Sequence, residues 1–247
     1  MATTFGVIVG NRGFFPDELA REGREEILRV LAEEGYEAVC LGPHDTLYGT
    51  VESRQDARKC AELFRRHADA LEGVIVTLPN FGQEKGVAEA LRLAGLDVPV
   101  LLQATPDRPG SAVMGQRRDS FCGKISVCNN LRQAGIGYTL TRSHTVKAAS
   151  AEFKKELDDF AATCRIIKGL RNVRFGAIGA RTGAFNTVRY SEKLLELSDI
   201  SVETIDLSEM FGRVDRLADN NAGVKRKLNH IKEYIDTSTV PADALIK

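Results

Sequence analysis

The sequence predicts an α/β fold built as two successive doubly wound parallel-sheet units, the second incomplete. Three observations lead there. Short apolar, β-rich runs alternate with amphipathic helical patterns from the N-terminus onward. The runs are continuously apolar, as strands must be when helices cover both faces of a parallel sheet. After a long helical pattern near the middle of the chain, the same alternation starts again.

Each element follows from its residues. Val7, Ile8 and Val9 make residues 5–10 the first strand. Pro16 and Asp17 then open a helix whose apolar positions Leu19, Ile27, Val30 and Leu31 suit helical spacing, and it ends near Gly35. Residues 36–41 read as a second strand, 52–70 as a charged amphipathic helix, 73–78 as a third strand, 84–94 as a helix and 98–102 as a fourth strand. A long loop, 103–123, carries Pro106, Pro109, Gly110, Gly115, Arg117 and Arg118. A structureless stretch of about 20 residues is usually functional or disordered. A helix over 124–134 and a short strand over 138–141 follow. From 149 to 170, Phe153, Leu157, Phe160, Cys164 and Ile167 recur every three or four residues. This helix is read as a bridge, dividing an N-terminal α/β domain, 1–148, from a second α/β domain, 149–247. The second contains strands over 173–179 and 201–207 and helices over 188–197, 208–217 and 222–235. Two strands make a poor independent sheet. The second unit is therefore expected either to pack on the first or to continue in further chain. Such a unit should expose apolar surface, with association or partial disorder expected over 218–247.

Composition removes several functions. The 34 basic and 34 acidic side chains of the 247-residue chain cancel, where a nucleic-acid-binding surface usually shows a basic excess. No run approaches the roughly 18 apolar residues of a membrane span, and the first residues show no signal peptide. A cytoplasmic protein with no nucleic-acid or membrane partner is expected. Cys40, Cys60, Cys122, Cys128 and Cys164 are odd in number and widely spaced, without a Cys-x-x-Cys pair; reduced, mostly buried thiols are the simplest reading.

Most catalytic signatures also fail. There is no phosphate-binding Gly-x-x-x-x-Gly-Lys-Ser/Thr, and Gly176, Gly179 and Gly183 have the wrong spacing for a dinucleotide fingerprint. No Gly-x-Ser-x-Gly elbow occurs. His67 and His230 lie on charged helical faces, while His44 and His144 read as loop residues. Carboxylates sit mostly on helices beside Lys or Arg, and nothing presents the convergent oxygen set a hard cation needs. Asp107 and Asp119 are the best candidates, and they share an arginine-rich loop in which they can pair with arginine.

Two loops stand out. Ligands of parallel sheets bind beyond the carboxyl ends of the strands, and residues 10–16 follow the first strand there. Asn11 and Arg12, with Phe14 and Phe15 beside them, suit a polyol or an anion; the alternative is a turn whose arginine is merely solvated. Residues 179–189, with Arg181, Thr182, Phe185 and Asn186, follow the first strand of the second unit and are small, polar and glycine-rich. The alternative there is a tight strand-to-helix turn.

These loops, the second taken on to Ser191, with residues 120–130 (Ser120, Phe121, Cys122 and Gly123 through Asn129 and Asn130) and 204–209, resemble the fucose/arabinose isomerase family in order and spacing along essentially the whole chain. The resemblance implies an aldose–ketose isomerase that uses a divalent metal, usually Mn²⁺. It implies two N-terminal α/β domains and a C-terminal domain, assembled as trimers or hexamers. It implies an active site at a subunit junction, reached by the arginine that matches Arg12. By the same resemblance Asn80 and Phe81 form a wall of the sugar site, and Arg181, Thr182, Phe185 and Asn186 border it. The family's metal ligands fall in the later second domain and the C-terminal domain. Thus 1–247 is expected to be the N-terminal portion of such an isomerase, giving substrate-binding walls and subunit contacts, with no catalytic or metal-ligating residue of its own. The competing expectation is a non-catalytic two-lobed sugar-binding or regulatory module.

Overall fold

A computed structural model of the chain describes residues 3–107, 116–218 and 220–246. The chain forms two compact units, Met1–Gly169 and Leu170–Lys247.

The first unit is a five-stranded, wholly parallel sheet. Its strands are β1 (Thr4–Val9), β2 (Glu37–Cys40), β3 (Leu71–Leu78), β4 (Val100–Ala104) and β5 (Thr139–Leu140), in the spatial order β2-β1-β3-β4-β5. Helices α1 (Asp17–Glu33), α2 (Arg54–Arg66), α3 (Glu84–Ala94), α4 (Ser120–Gln133) and α5 (Ala151–Leu170) lie between and after the strands. The pleat sorts the side chains into two cores. Phe5, Val7, Val9, Ile75 and Leu101 face α1 and α5, meeting Ile27, Leu31, Phe153, Leu157 and Phe160. Ile8, Val74, Val76, Leu78 and Leu102 face the other way, onto Ala57, Phe64, Val87, Leu91, Val127 and Leu131 of α2, α3 and α4. Both faces are thus covered, and the strands are buried throughout β1 and β4.

Local chemistry sets the helix ends. Ser53 Oγ accepts from the Asp56 amide, and the Asp56 carboxylate accepts from the Ser53 amide at 2.8 Å, a reciprocal cap that starts α2. Gly95, at φ +64°, ends α3 in the left-handed conformation that favours glycine. The helix expected as a bridge, α5, lies within the first unit by its packing. Lys168 pairs with Glu72 of β3 at 2.9 Å, and Tyr36 donates to Asp158 at 2.7 Å. The sequence boundary after 148 therefore falls one helix before the division between the units.

The second unit pairs β6 (Val173–Ile178) with β7 (Ile200–Ile205) in parallel, from Val173 opposite Ile200 to Ile178 opposite Ile205. Around them are α6 (Glu192–Glu196), α7 (Leu207–Val214), α8 (Ala222–Tyr234) and α9 (Ala242–Ile246). Among its described apolar side chains only Ile200 is buried; Phe175, Leu194, Leu197, Phe211 and Tyr234 are exposed.

Three expectations need correction. The helix expected over 188–197 shrinks to a 3-10 turn at Asn186–Val188 and the five-residue α6. Ser191 caps α6 by accepting from the Leu194 amide, and a helix with no buried residue has little packing to lengthen it. The thiols are not mostly buried. Cys60 and Cys164 are, Cys40 and Cys128 are half-buried, and Cys122 is exposed on α4. The long loop is partly structured at its end, where Asp119 leads into α4 four residues earlier than expected; its residues 108–115, with Pro109, Gly110 and Gly115, lie outside the described residues. No helix among the described residues is long and apolar enough to cross a membrane.

Candidate functional site

The strand order reverses between β1 and β3: the chain moves from β1 outward to β2, then returns past β1 to β3, β4 and β5. Loops leaving the carboxyl ends of two such strands part to opposite faces and leave a crevice, where ligands of open α/β sheets bind. Here those are the loops after Val9 and after Leu78, and they carry Asn11, Arg12, Asn80 and Phe81.

The two loops are clasped together by buried amides. Asn11 and Asn80 are both fully buried. The Asn80 side-chain amide donates to Asn11 Oδ1 at 2.7 Å, and Asn80 Oδ1 accepts from the Gly82 amide at 3.1 Å. Asn11 Nδ2 donates to Asp17 Oδ1 at 3.0 Å and to Glu52 Oε2 at 3.2 Å. Glu52 Oε1 accepts from the Gly13 amide at 2.6 Å, and the Gln83 amide donates to the Asn11 carbonyl at 2.9 Å. Every polar atom of the Asn11 side chain is thus engaged. These asparagines shape the loops; they do not present free groups at the surface.

What the loops do present is a cation on an aromatic stack. The Arg12 guanidinium lies 4.7 Å from the centre of the Phe81 ring, and Phe81 stacks on Phe15 at 5.6 Å with 15° between the planes. Phe14 packs edge-on to Phe15 and is 71% exposed. Arg12 Nη1 is 3.9 Å from Glu84 Oε2 in the first turn of α3, too far for a hydrogen bond. That Glu84 oxygen is buried and has no hydrogen-bond partner among the described residues. Phe81 is held from behind by α4. A Cβ on Gly123 would fall 1.7 Å from the Phe81 carbonyl oxygen, so only glycine lets the helix approach this closely. Arg118 Nη1 donates to the Pro79 carbonyl at 2.7 Å and fixes the start of the same turn.

Asp107 and Asp119 are used locally. Asp119 pairs with Arg117 at 2.9 Å, as the sequence suggested, whereas Asp107 accepts from the backbone amides of Arg118 and Asp119. The Asp119 carboxylate also pushes the Cys122 thiol up. Lys124 is buried and donates to Thr141 Oγ1 at 2.7 Å and to the His144 carbonyl at 3.0 Å; burial pulls its ammonium down. His44, His67, His144 and His230 are all exposed.

The loop of the second unit is open. Arg181 Nη1 donates to Asn186 Oδ1 at 3.0 Å and to the Gly183 carbonyl at 3.2 Å, and Gly179 and Gly183 have positive φ. Thr182 and Phe185 are exposed. Arg181 and Asn186 are brought together, as are Asn11, Arg12, Asn80 and Phe81 in the first unit. Glu52 and Glu84 escaped sequence reasoning. Each stands just after a carboxyl-end loop, beside ordinary surface carboxylates, and their approach to residues 11–13 spans dozens of residues in sequence. Among the described residues no group of three or more His, Cys, Asp or Glu is placed to hold a metal. The described residues therefore offer no ligand set that fits the Mn²⁺ implied by the resemblance.

No curated protein matches the chain. A family model described as "Fucose/sulfoquinovose isomerase, N-terminal domain" matches residues 6–171. That span takes in the parallel sheet of the first unit apart from the first two residues of β1, together with the clasped loops and α5. By this match over more than half of its length, the chain belongs to the fucose/sulfoquinovose isomerase family.

Proposed function

We propose that this chain forms the substrate-gripping part of an aldose–ketose isomerase, and that the Arg12–Phe81 pair at the β1/β3 crevice is its contact with sugar. The observation that carries this reading is the cation lying on an aromatic stack at the strand-order reversal of a family domain. Sugars offer a hydroxylated rim and an apolar C–H face. Arg12 donates hydrogen bonds to hydroxyl oxygens, and the Phe81–Phe15 stack offers a flat apolar wall. Asn11 and Asn80 position that pair through their buried clasp. Within the second unit, Arg181, Thr182, Phe185 and Asn186 offer an exposed polar loop of their own.

Isomerisation between C1 and C2 needs a proton moved from a carbon beside a carbonyl, by a positioned base. The groups at the crevice can bind and orient; none of them is arranged as a proton shuttle next to a stabiliser of the resulting negative charge. Catalytic carboxylates and the ligands of a divalent metal, Mn²⁺ in this reading, come from polypeptide outside 1–247. Homo-oligomer contacts, as a trimer or hexamer, belong to the same proposal, as does a cytoplasmic location.

The test is binding separated from turnover. L-Fucose titrated into the isotope-labelled chain should shift backbone resonances of residues 10–16 and 79–84, and Arg12→Ala should weaken binding about tenfold or more, the loss of a charged hydrogen-bond donor. The same preparation with Mn²⁺ should convert no L-fucose. Robust conversion by 1–247 alone, or shifts confined to other regions, would end this reading.

A further inference from the structure

The first unit leaves one side of its sheet unfinished. β5 is an edge strand that pairs only with β4 among the described residues. Edge strands are normally guarded by a charge or a proline, and β2 at the other edge begins with Glu37. The run around β5, residues 134–141, contains neither. The flanking helices add to this. Apart from Phe14 and Leu47, every large apolar side chain exposed on the described part of Met1–Gly169 lies on α4, β5 or α5: Phe121, Ile125, Leu140, Ile166 and Ile167. Exposed apolar side chains gathered on neighbouring elements mark an interaction surface.

The register gives this edge two different faces. Leu140 lies opposite Leu102 and Thr139 opposite Leu101, so Leu140 stands on the side of α2, α3 and α4, and Thr139 on the side of α1 and α5. On that second side a groove of about 370 Å³ runs between β5 and α5. It is floored by the buried Leu101 and Phe160 and rimmed by Arg142, Glu156 and Asp159. The Glu156 carboxylate accepts from the Arg142 backbone amide at 2.9 Å, whereas the Arg142 guanidinium and the Asp159 carboxylate have no ion-pair partner among the described residues. A cation and an anion on the rim of one groove are self-complementary: after a half-turn, each meets its opposite on a second copy.

We propose that β5, with the outward faces of α4 and α5, is a twofold docking surface for a second copy of this chain. The axis is normal to the sheet, so the two β5 strands pair antiparallel and the sheet continues through the seam. Leu140 of one copy packs against Leu140 of the other, and the two grooves close on each other with Arg142 of each copy against Asp159 of its mate. A polypeptide of other sequence would have to supply both the apolar strand and the matching charges; a second copy already holds them. The inference rests on the homo-oligomer reading above and names one of its contact surfaces, and it does not depend on the sugar. Sedimentation velocity over a range of concentrations reads the association of the full chain as wild type, Leu140→Asp, Arg142→Glu and Asp159→Arg. Each variant alone should weaken association about tenfold or more, the scale of a like-charge contact across an interface. An equimolar mixture of the Arg142→Glu and Asp159→Arg chains should restore it to within a few-fold of wild type, because the two substituted positions then meet at one contact and the native Arg142 and Asp159 at the other. Recovery in the mixture also shows that both variants fold. Association unchanged by Leu140→Asp, or a mixture no tighter than its components, would overturn the proposal and move the contact to another surface. A wild type that stays monomeric would remove the homo-oligomer reading as well, and leave the sugar-binding reading standing.

Discussion

The two units carry the same strand–helix alternation and reach opposite results. In the first, five parallel strands give α1 and α5 one surface and α2, α3 and α4 another, and Phe5, Phe64 and Phe153 become fully buried. In the second, β6 and β7 pair in good register, yet Phe175 of β6 is 47% exposed and, among the described side chains, only Ile200 is buried. Hydrogen bonds and helix caps are present in both; Asp206 caps α7 and Asn221 caps α8 through their side chains. The difference lies in surface removed from water. A pattern of apolar residues specifies where strands form, but stability follows from burying them, and two strands offer too little sheet for helices to cover.

The sharpest way to break this comparison is amide hydrogen exchange. Amides of β1, β3 and β4 should exchange only on global opening of the first unit, while those of β6 and β7 exchange at least ~100-fold faster through local opening. Equal protection of the two sheets would show that the second is buried by contacts the single chain does not display.

A smaller effect separates core from surface within one residue type. Phe153→Ala, at a fully buried position against the sheet, should cost about 3–5 kcal/mol in denaturant melts of the first unit. Phe211→Ala, at 63% exposure, should change stability by less than about 0.5 kcal/mol. A large loss for Phe211 would mean that its face is covered in solution.

Much of this was legible in the sequence, for reasons that differ by residue. Val7, Ile8 and Val9 announce a buried strand because a parallel sheet tolerates no polar face. Arg12 is visible as a candidate because it follows that strand at its carboxyl end. The role of Asn11 and Asn80 is not visible. They lie 69 residues apart, and only folding shows that Asn80 donates to Asn11, which donates in turn to Asp17 and Glu52. Glu84 is hidden in the same way, as one more carboxylate opening one more helix. The expected helix over 188–197 fails because periodicity cannot tell whether a partner surface exists. In the first unit that surface exists, and α1, α3 and α5 match their patterns closely.

The subtlest test of the comparison concerns a charge that only a buried unit can perturb. Burial holds the Lys124 ammonium below its ordinary 10.5, partly countered by Cys128 and Glu156 nearby. The folded chain therefore releases this proton at a lower pH than the unfolded chain does. Between the two values the unfolded state binds more protons, so stability rises with pH in that window below 10.5. Below the lowered value both states are charged and the cost of burying the ammonium is constant. Lys124→Met removes this dependence. It also strips donors from Thr141 and the His144 carbonyl, an offset of about 1–3 kcal/mol at all pH values. Other thiols and tyrosines titrate in the same alkaline range, so the readout is the difference between wild type and variant. The wild type's advantage over Lys124→Met should grow as pH approaches 10.5. A flat Lys124 difference would mean that water reaches the ammonium, and that the first unit's core is looser at α4 than its packing indicates.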